Sequence, residues 1–94
     1  MNTIQLECFV AVAEHLNFSR ASEELKITQP AVSHQIHALE EELGTKLFLR
    51  TSKSVSLTQE GLMFLPDAQL ILKTALSAKE RLGRHEHFIP FDIG

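Results

Sequence analysis

Residues 28–44, TQPAVSHQIHALEEELG, decide how this chain is read. Thr28 carries a side-chain acceptor suited to capping a helix N-terminus. Pro30 follows in the first turn, where a missing N–H leaves no bond unmade. Val32, Ile36, Leu39 and Leu43 recur at steps of four, three and four, which gives one apolar seam along a helix from Gln29 to about Leu43. Gly44 then supplies a residue that tolerates the left-handed conformation at a helix C-terminus. With the seam turned inward, Gln29, Ser33 and His37 fall on the opposite face at steps of four, with Pro30 and His34 alongside.

Working upstream, Ile4 to Leu16 reads as an amphipathic helix, with Leu6, Phe9, Val10 and Ala13 at i, i+3, i+4 and i+7. Asn17 interrupts that pattern. Ser19 is the expected N-cap of a second, short helix ending near Lys26, with Glu23 and Glu24 in its early turns. Phe18, Ala21 and Leu25 would face inward. Only Ile27 and Thr28 separate this helix from the third, a connection short enough for helix-turn-helix geometry.

Downstream of Gly44 the period changes. Leu47-Phe48-Leu49-Arg50 and Val55-Ser56-Leu57 flank the polar stretch Thr51 to Ser54 and predict a small β-hairpin, although no Asn-Gly or Asp-Gly fixes the turn type. Thr58 is the expected cap of a long fourth helix, Gln59 to about Leu82. Leu62, Leu65, Ala68 or Gln69, Leu72 and Leu76 form a seam along it that so small a domain cannot cover. Pro66 inside that helix predicts a kink or a subtle break. No periodic pattern continues from His85 to Gly94.

The fold class is therefore mainly α: a three-helix core with a small β-hairpin wing, followed by a long helix. The expected organisation is a winged helix-turn-helix over 1–58 (helix-turn-helix about 18–37, wing about 46–57), a helix over 59–83, and a hinge or tail over 84–94.

Bulk properties restrict the function. Ninety-four residues fit one small domain with a thin core, so a partner chain would add stability. Trp and Tyr are absent, so six Phe carry all the aromatic bulk and a platform for stacking single-stranded bases has little support. One cysteine, Cys8, leaves no internal disulfide and fits a reducing compartment; its apolar surroundings point to a buried thiol. No signal peptide is visible and no apolar run approaches membrane-spanning length, which sets cytoplasm as the expectation.

The formal charge of −3 argues against a nucleic-acid partner if only the total is counted. Its distribution argues the other way. Between Leu43 and Gln59 there is no acidic residue, while Lys46, Arg50 and Lys53 fall inside that stretch. The acids gather at Glu23–Glu24 and Glu40–Glu42. The third helix has the size to enter a B-DNA major groove, where residues near the N-terminal end usually meet the bases. Gln29 has groups for a bidentate contact with adenine, Ser33 can donate or accept, and His34 and His37 can approach base or phosphate. Arg50 and Lys53 on the hairpin can enter a minor groove or pair with phosphates. Each half alone also reads as an ordinary solvated surface. Together, and consecutive in the chain, they make a DNA-docking surface the better reading.

Residues 18–61, from FSRASEEL through TQPAVSHQIHALEEELGTKLFLR to LTQEG, also resemble the DNA-binding domain of the LysR-type transcriptional regulators of bacteria. QPAVS followed by LEEELG, LF-x-R and LT-x-x-G at this spacing carries the resemblance, which extends from the first helix to about Gly83. It implies a winged helix-turn-helix bound to double-stranded DNA. It further implies a linker helix that pairs two subunits through Leu62, Leu65, Gln69, Leu72 and Leu76, on an inverted-repeat target. The expected DNA-binding residues are Ser19, Arg20 and Thr28 toward the backbone, Gln29, Pro30 and Ser33 on bases, and His34 and His37 near either. Arg50, Ser52 and Lys53 would act from the wing. A larger effector-binding domain, outside this chain, is implied as well.

This sequence departs from the pattern where family members often carry Arg: His34 and His37 leave the third helix without Lys or Arg. Fewer fixed charges imply a smaller counterion-release contribution, and affinity that rises as pH falls if protonated imidazoles approach phosphates. No cofactor and no enzymatic activity are expected. His34 and His37, like His85 and His87, offer two ligands where a closed metal site needs more. The competing reading is a winged-helix protein-interaction module without DNA binding.

Overall fold

The computed structural model describes residues 1–85. Their order is α1 (Thr3–His15), α2 (Phe18–Leu25), α3 (Gln29–Leu43), β1 (Phe48–Arg50), β2 (Val55–Leu57) and α4 (Gln59–His85). The expected hinge or tail lies outside the described residues from residue 86 onward.

Local chemistry sets each boundary. Asn2 caps α1 in a reciprocal box with Gln5: Asn2 Oδ1 accepts from the Gln5 backbone N–H and Gln5 Oε1 from that of Asn2. Leu16 ends the helix at φ 49°, its N–H bonded to the Val12 carbonyl. The cap of α2 is Asn17, whose Oδ1 accepts from the Arg20 backbone N–H at 2.9 Å. Ser19, expected in that role, lies inside the first turn instead. Asn17 is extended at φ −159°, the backbone a cap requires, and stands three residues before the N–H that it binds. Lys26 closes α2 in the left-handed region. Thr28 caps α3 through the Ala31 N–H, Pro30 sits in the first turn, and Gly44 closes the helix at φ 74°, all as the sequence implies.

Leu6, Phe9, Val12, Phe18, Ala21, Val32, Ile36, Leu39, Leu47 and Phe48 fill the core where the first three helices meet the hairpin. α1 buries a wider face than its expected stripe, because Cys8, Ala11 and Val12 are covered too. Leu43 departs from the α3 seam and remains 38% exposed. The seam is completed by Glu40, one turn beyond Ile36. Its buried carboxylate accepts from the Leu47 and Phe48 backbone N–H groups at 2.7 and 3.2 Å. A side-chain oxygen that accepts from two strand amides fixes β1 to the end of α3.

β1 and β2 pair antiparallel in the register Phe48↔Leu57, Leu49↔Ser56, Arg50↔Val55. Thr51 shapes the connecting loop: its Oγ1 accepts from the Lys53 and Ser54 N–H groups, and its own N–H bonds the Ser54 carbonyl. Thr58 ties the hairpin to α4, with Oγ1 accepting from the Gly61 N–H and donating to the Lys46 carbonyl. α4 runs without interruption through Pro66, so the break considered from the sequence does not occur. Leu62 and Pro66 are both exposed, and water can take the bond that the ring cannot donate. The helix also continues past Gly83, which lies outside the left-handed region among the described residues. Its 27 residues span about 40 Å, well beyond the core that covers its first half.

Candidate nucleic-acid interface

Ser19, Gln29, Arg50, Ser52 and Lys53 border one cleft between the start of α2, the start of α3 and the hairpin loop, and Arg50 joins Ser33 to it. Ser19, Arg20, Thr28, Gln29, Pro30, His34 and His37 are exposed, and Ser33 is half-buried. Ser52 and Lys53 stand exposed in the loop. A cleft of about 290 Å³ opens between Asn17–Ser19, Gln29 and the loop Arg50–Ser54. A second hollow, about 360 Å³, also touches Arg50 and is bordered by His37, Glu40, Lys46 and Leu49.

Two contacts join the halves of this surface. Ser19 Oγ donates to Gln29 Oε1 at 3.0 Å, linking α2 to α3. Arg50 Nη1 donates to Ser33 Oγ at 3.3 Å, linking the hairpin to α3. Strand alternation explains the second contact. Arg50 is two residues beyond Phe48 and shares its inward face, while Leu49 between them points out at 58% exposure. The guanidinium therefore lies over the Phe18 ring, 4.1 Å from its centroid, and Phe18 in turn meets Phe48 edge-on at 6.0 Å. Arg50 is thus held by α2 and α3 rather than projecting from the hairpin tip as Lys53 does.

The electrostatics are uneven. From Ile27 to Leu39 and from Leu43 to Gln59 there is no carboxylate in the chain. Glu40 is turned inward, with Lys46 Nζ 3.9 Å from its Oε1. His37 Nε2 lies 3.4 Å from Glu41 Oε2, so its charge when protonated has an internal partner; no such pair involves His34 among the described residues. Cys8 lies buried in the core. Burial first, and the Glu7 charge second, push its thiol above the usual range, which leaves it a poor nucleophile. Among the described residues no group of three or more His, Cys, Asp or Glu is placed to hold a metal, and no helix is long and apolar enough to cross a membrane.

On α4 the expected pairing residues do not share one environment. Leu62, Gln69 and Leu76 are exposed, but Leu65 and Leu72 pack in part against the domain's own core. Exposed apolar surface continues instead over Met63, Leu70, Ile71 and Leu82, which sequence reading passed over. Phe18 under Arg50 and Glu40 under the hairpin were also missed as organisers of the site. Glu40 had left a signal, since Val32, Ile36 and Glu40 recur at steps of four.

Comparison with known proteins places the sequence and the fold in one family. Residues 4–62 match the family model of the bacterial regulatory helix-turn-helix protein, lysR family. The chain is 48% identical over 79 residues to an uncharacterized HTH-type transcriptional regulator, YnfL, of Escherichia coli K12, covering 84% of this chain and 27% of that protein. It is also 48% identical over 77 residues to the glycine cleavage system transcriptional activator of the same strain, covering 82% and 25%. The chain thus spans about a quarter of the length of these relatives. The fold superposes on the crystal structure of the CbnR DBD–DNA complex with a TM-score of 0.84 and 38% identity, over 89% of this chain and 97% of that one.

Proposed function

Because the chain belongs to the lysR family of bacterial regulatory helix-turn-helix proteins, we propose that it binds double-stranded DNA sequence-specifically and serves transcription control, not catalysis. The observation that carries this reading is the cleft, lined without a carboxylate, where the start of α2, Gln29 of α3 and the hairpin loop with Arg50 and Lys53 meet. A superposable relative solved as a DNA complex supports it.

In this reading residues 1–58 form the DNA-binding unit, and α3 enters the major groove with its N-terminal turns leading. Gln29, Pro30 and Ser33 meet base edges, and His34 and His37 stand beside bases or phosphates. Ser19, Arg20 and Thr28 meet the backbone at one edge of the groove. Ser52 and Lys53 reach it, or the adjoining minor groove, from the hairpin, with Arg50 at the junction. Two chains pair through residues 59–83, where Leu62, Gln69 and Leu76 lie open and Leu65 and Leu72 are partly so. An isologous pair would place its two α3 helices on an inverted repeat. The setting is the cytoplasm, and any small-molecule effector acts through a part of the regulator outside this chain.

Fluorescence-anisotropy titration of genomic duplexes at two salt concentrations, beside an Arg20→Ala, Lys53→Ala variant, tests the reading. Binding that weakens steeply with salt, with a shallower slope in the variant, is expected. A dimer by sedimentation that binds no duplex at low salt would make the chain a protein-interaction module instead.

A further inference from the structure

The two side chains placed to read bases most directly, Gln29 and Ser33, each have an acceptor side already engaged within the protein. Ser33 Oγ accepts from Arg50 Nη1 at 3.3 Å. A serine hydroxyl has one proton to give, and a cation on its oxygen makes that proton a better donor and the remaining lone pair a poorer acceptor. Gln29 Oε1 accepts from Ser19 Oγ at 3.0 Å, which occupies one of its two lone pairs and leaves both Nε2 protons open. Pro30 between them has no N–H at all. We propose that Arg50 and Ser19 are positioning residues that set the polarity of the reading surface, so that α3 presents hydrogen-bond donors and selects base edges rich in acceptors.

The major groove supplies a definite partner for such a surface. Guanine presents N7 and O6, both acceptors, and thymine presents O4, whereas cytosine presents only the N4 amino donor. Adenine presents N7 beside an N6 donor, and its bidentate recognition by glutamine must share the Gln29 carbonyl with Ser19, which holds it toward α2. The favoured bases opposite Gln29 and Ser33 are therefore guanine first and thymine second. Cytosine is disfavoured, and adenine is recognised through N7 alone.

The packing keeps this polarity in place. Arg50 bonds Ser33 from a position in which its guanidinium also lies over the Phe18 ring, 4.1 Å from the centroid. The strand that carries Arg50 is fixed at Leu47 and Phe48 by the Glu40 carboxylate. Ser19 is held in the first helical turn set by the Asn17 cap. Arg50 thereby acts on specificity through Ser33, although it is one of the few cations near the DNA side of the molecule.

This inference rests on the reading of the chain as a duplex-DNA binder, and one experiment separates the two. Duplexes with about 15 randomised base pairs, enough to cover one half-site and its flanks, are selected with the wild-type chain, Ser19→Ala, Arg50→Ala and Arg50→Lys. Each variant is first shown by circular dichroism to be folded. The enriched site is then resynthesised with 7-deazaguanine, which lacks the N7 acceptor. The wild type should enrich guanine or thymine at two adjacent positions and lose about tenfold in affinity on 7-deaza substitution, the size of effect that one good base contact carries. Ser19→Ala should relax the position read by Gln29, and both Arg50 variants the position read by Ser33, with the 7-deaza effect there shrinking to within about twofold. Arg50→Lys retains the charge, so a relaxed position with overall affinity kept marks a role in selectivity and not in phosphate attraction. Cytosine or a glutamine-read adenine at these positions would overturn the inference and leave duplex binding intact. So would variants that weaken all sequences equally. No enrichment by the wild type would overturn both.

Discussion

The Gly61→Ala variant sets two physical arguments against each other. α4 is a helix and Gly61 lies in its first turn outside the left-handed region, so helix propensity favours alanine by up to about 1 kcal/mol. The packing opposes it. A Cβ built at Gly61 would stand 2.2 Å from the Leu47 carbonyl oxygen, 3.2 Å from its carbon and 2.9 Å from Leu57 Cδ2. Ordinary contacts lie near 3.5 Å, so the hairpin backbone must retreat by about 1 Å. That oxygen accepts the Thr58 N–H at 3.0 Å, and the retreat strains the bond that ties β1 to the start of α4.

Overpacking of this kind costs about 1–3 kcal/mol and a weakened buried hydrogen bond about 1 more. Set against the propensity gain, the variant loses about 2 kcal/mol. For a domain of this size that is a fall in Tm of about 8–16 °C, read by circular dichroism at fixed protein concentration. Because the closest contact is a backbone oxygen, adding Leu57→Ala should rescue little of the loss. A Tm equal to or above that of the wild type would refute the reasoning, because propensity would then have outweighed the close approach.

Asn17→Ala should cost about 1 kcal/mol, while Ser19→Ala should fall within about 0.5 kcal/mol of the wild type; equal urea midpoints for the two would return the cap to Ser19. Native Cys8 should resist iodoacetamide until the chain is unfolded, and rapid native alkylation would show that the thiol is reachable. Since burial raises the thiol pKa in the folded state, its contribution is complete below the ordinary thiol range and is lost as pH climbs through the raised value. The stability margin of the wild type over Cys8→Ala should therefore narrow in alkaline urea titrations, and a widening margin would contradict the sign.

What the sequence disclosed and what it concealed divide along a physical line. Helix limits were legible where one residue decides them: Thr28, Pro30 and Gly44 bound α3 as read, because caps and left-handed residues act locally. The α2 cap was misread because Asn17 and Ser19 are both good caps two residues apart, and only the backbone of the preceding turn selects between them. Glu40 stands in a run of three glutamates whose composition says "solvated", and its burial depends on strand amides seven and eight residues away. Gly61 was visible as part of a motif, but its reason is the approach of a distant carbonyl. On α4 the seam of Leu62, Leu65, Gln69, Leu72 and Leu76 merged two faces, since a helix that packs on its own domain and leaves further apolar surface open shows a wide stripe, not a clean one.

An acidic chain proposed to dock on a polyanion needs its charges resolved by position. Glu41 is twelve residues along α3 from Gln29, about 18 Å by helical rise, which is beyond the Debye length of about 8–10 Å at physiological salt. Glu23 and Glu24 occupy the far turns of α2, and Glu24 is engaged with His15 at 2.6 Å. The net charge of −3 is therefore a poor guide to the potential at the N-terminal turns of α3. What acts there is the number of free cations. Of the cations assigned to the DNA in this proposal, Arg50 is engaged with Phe18 and Ser33, so Arg20 and Lys53 are the two counted toward phosphates. Two per protomer make four per dimer, and at about 0.9 per neutralised phosphate the logarithmic salt slope should be near −4. A slope near −6 would mean that Arg50 leaves Phe18 to join the backbone contacts, and one near −2 that a single protomer carries the binding. The same titration with Arg50→Ala then separates the two accounts of Arg50, because removing a coupling residue leaves the slope where it was while removing a phosphate contact makes it shallower.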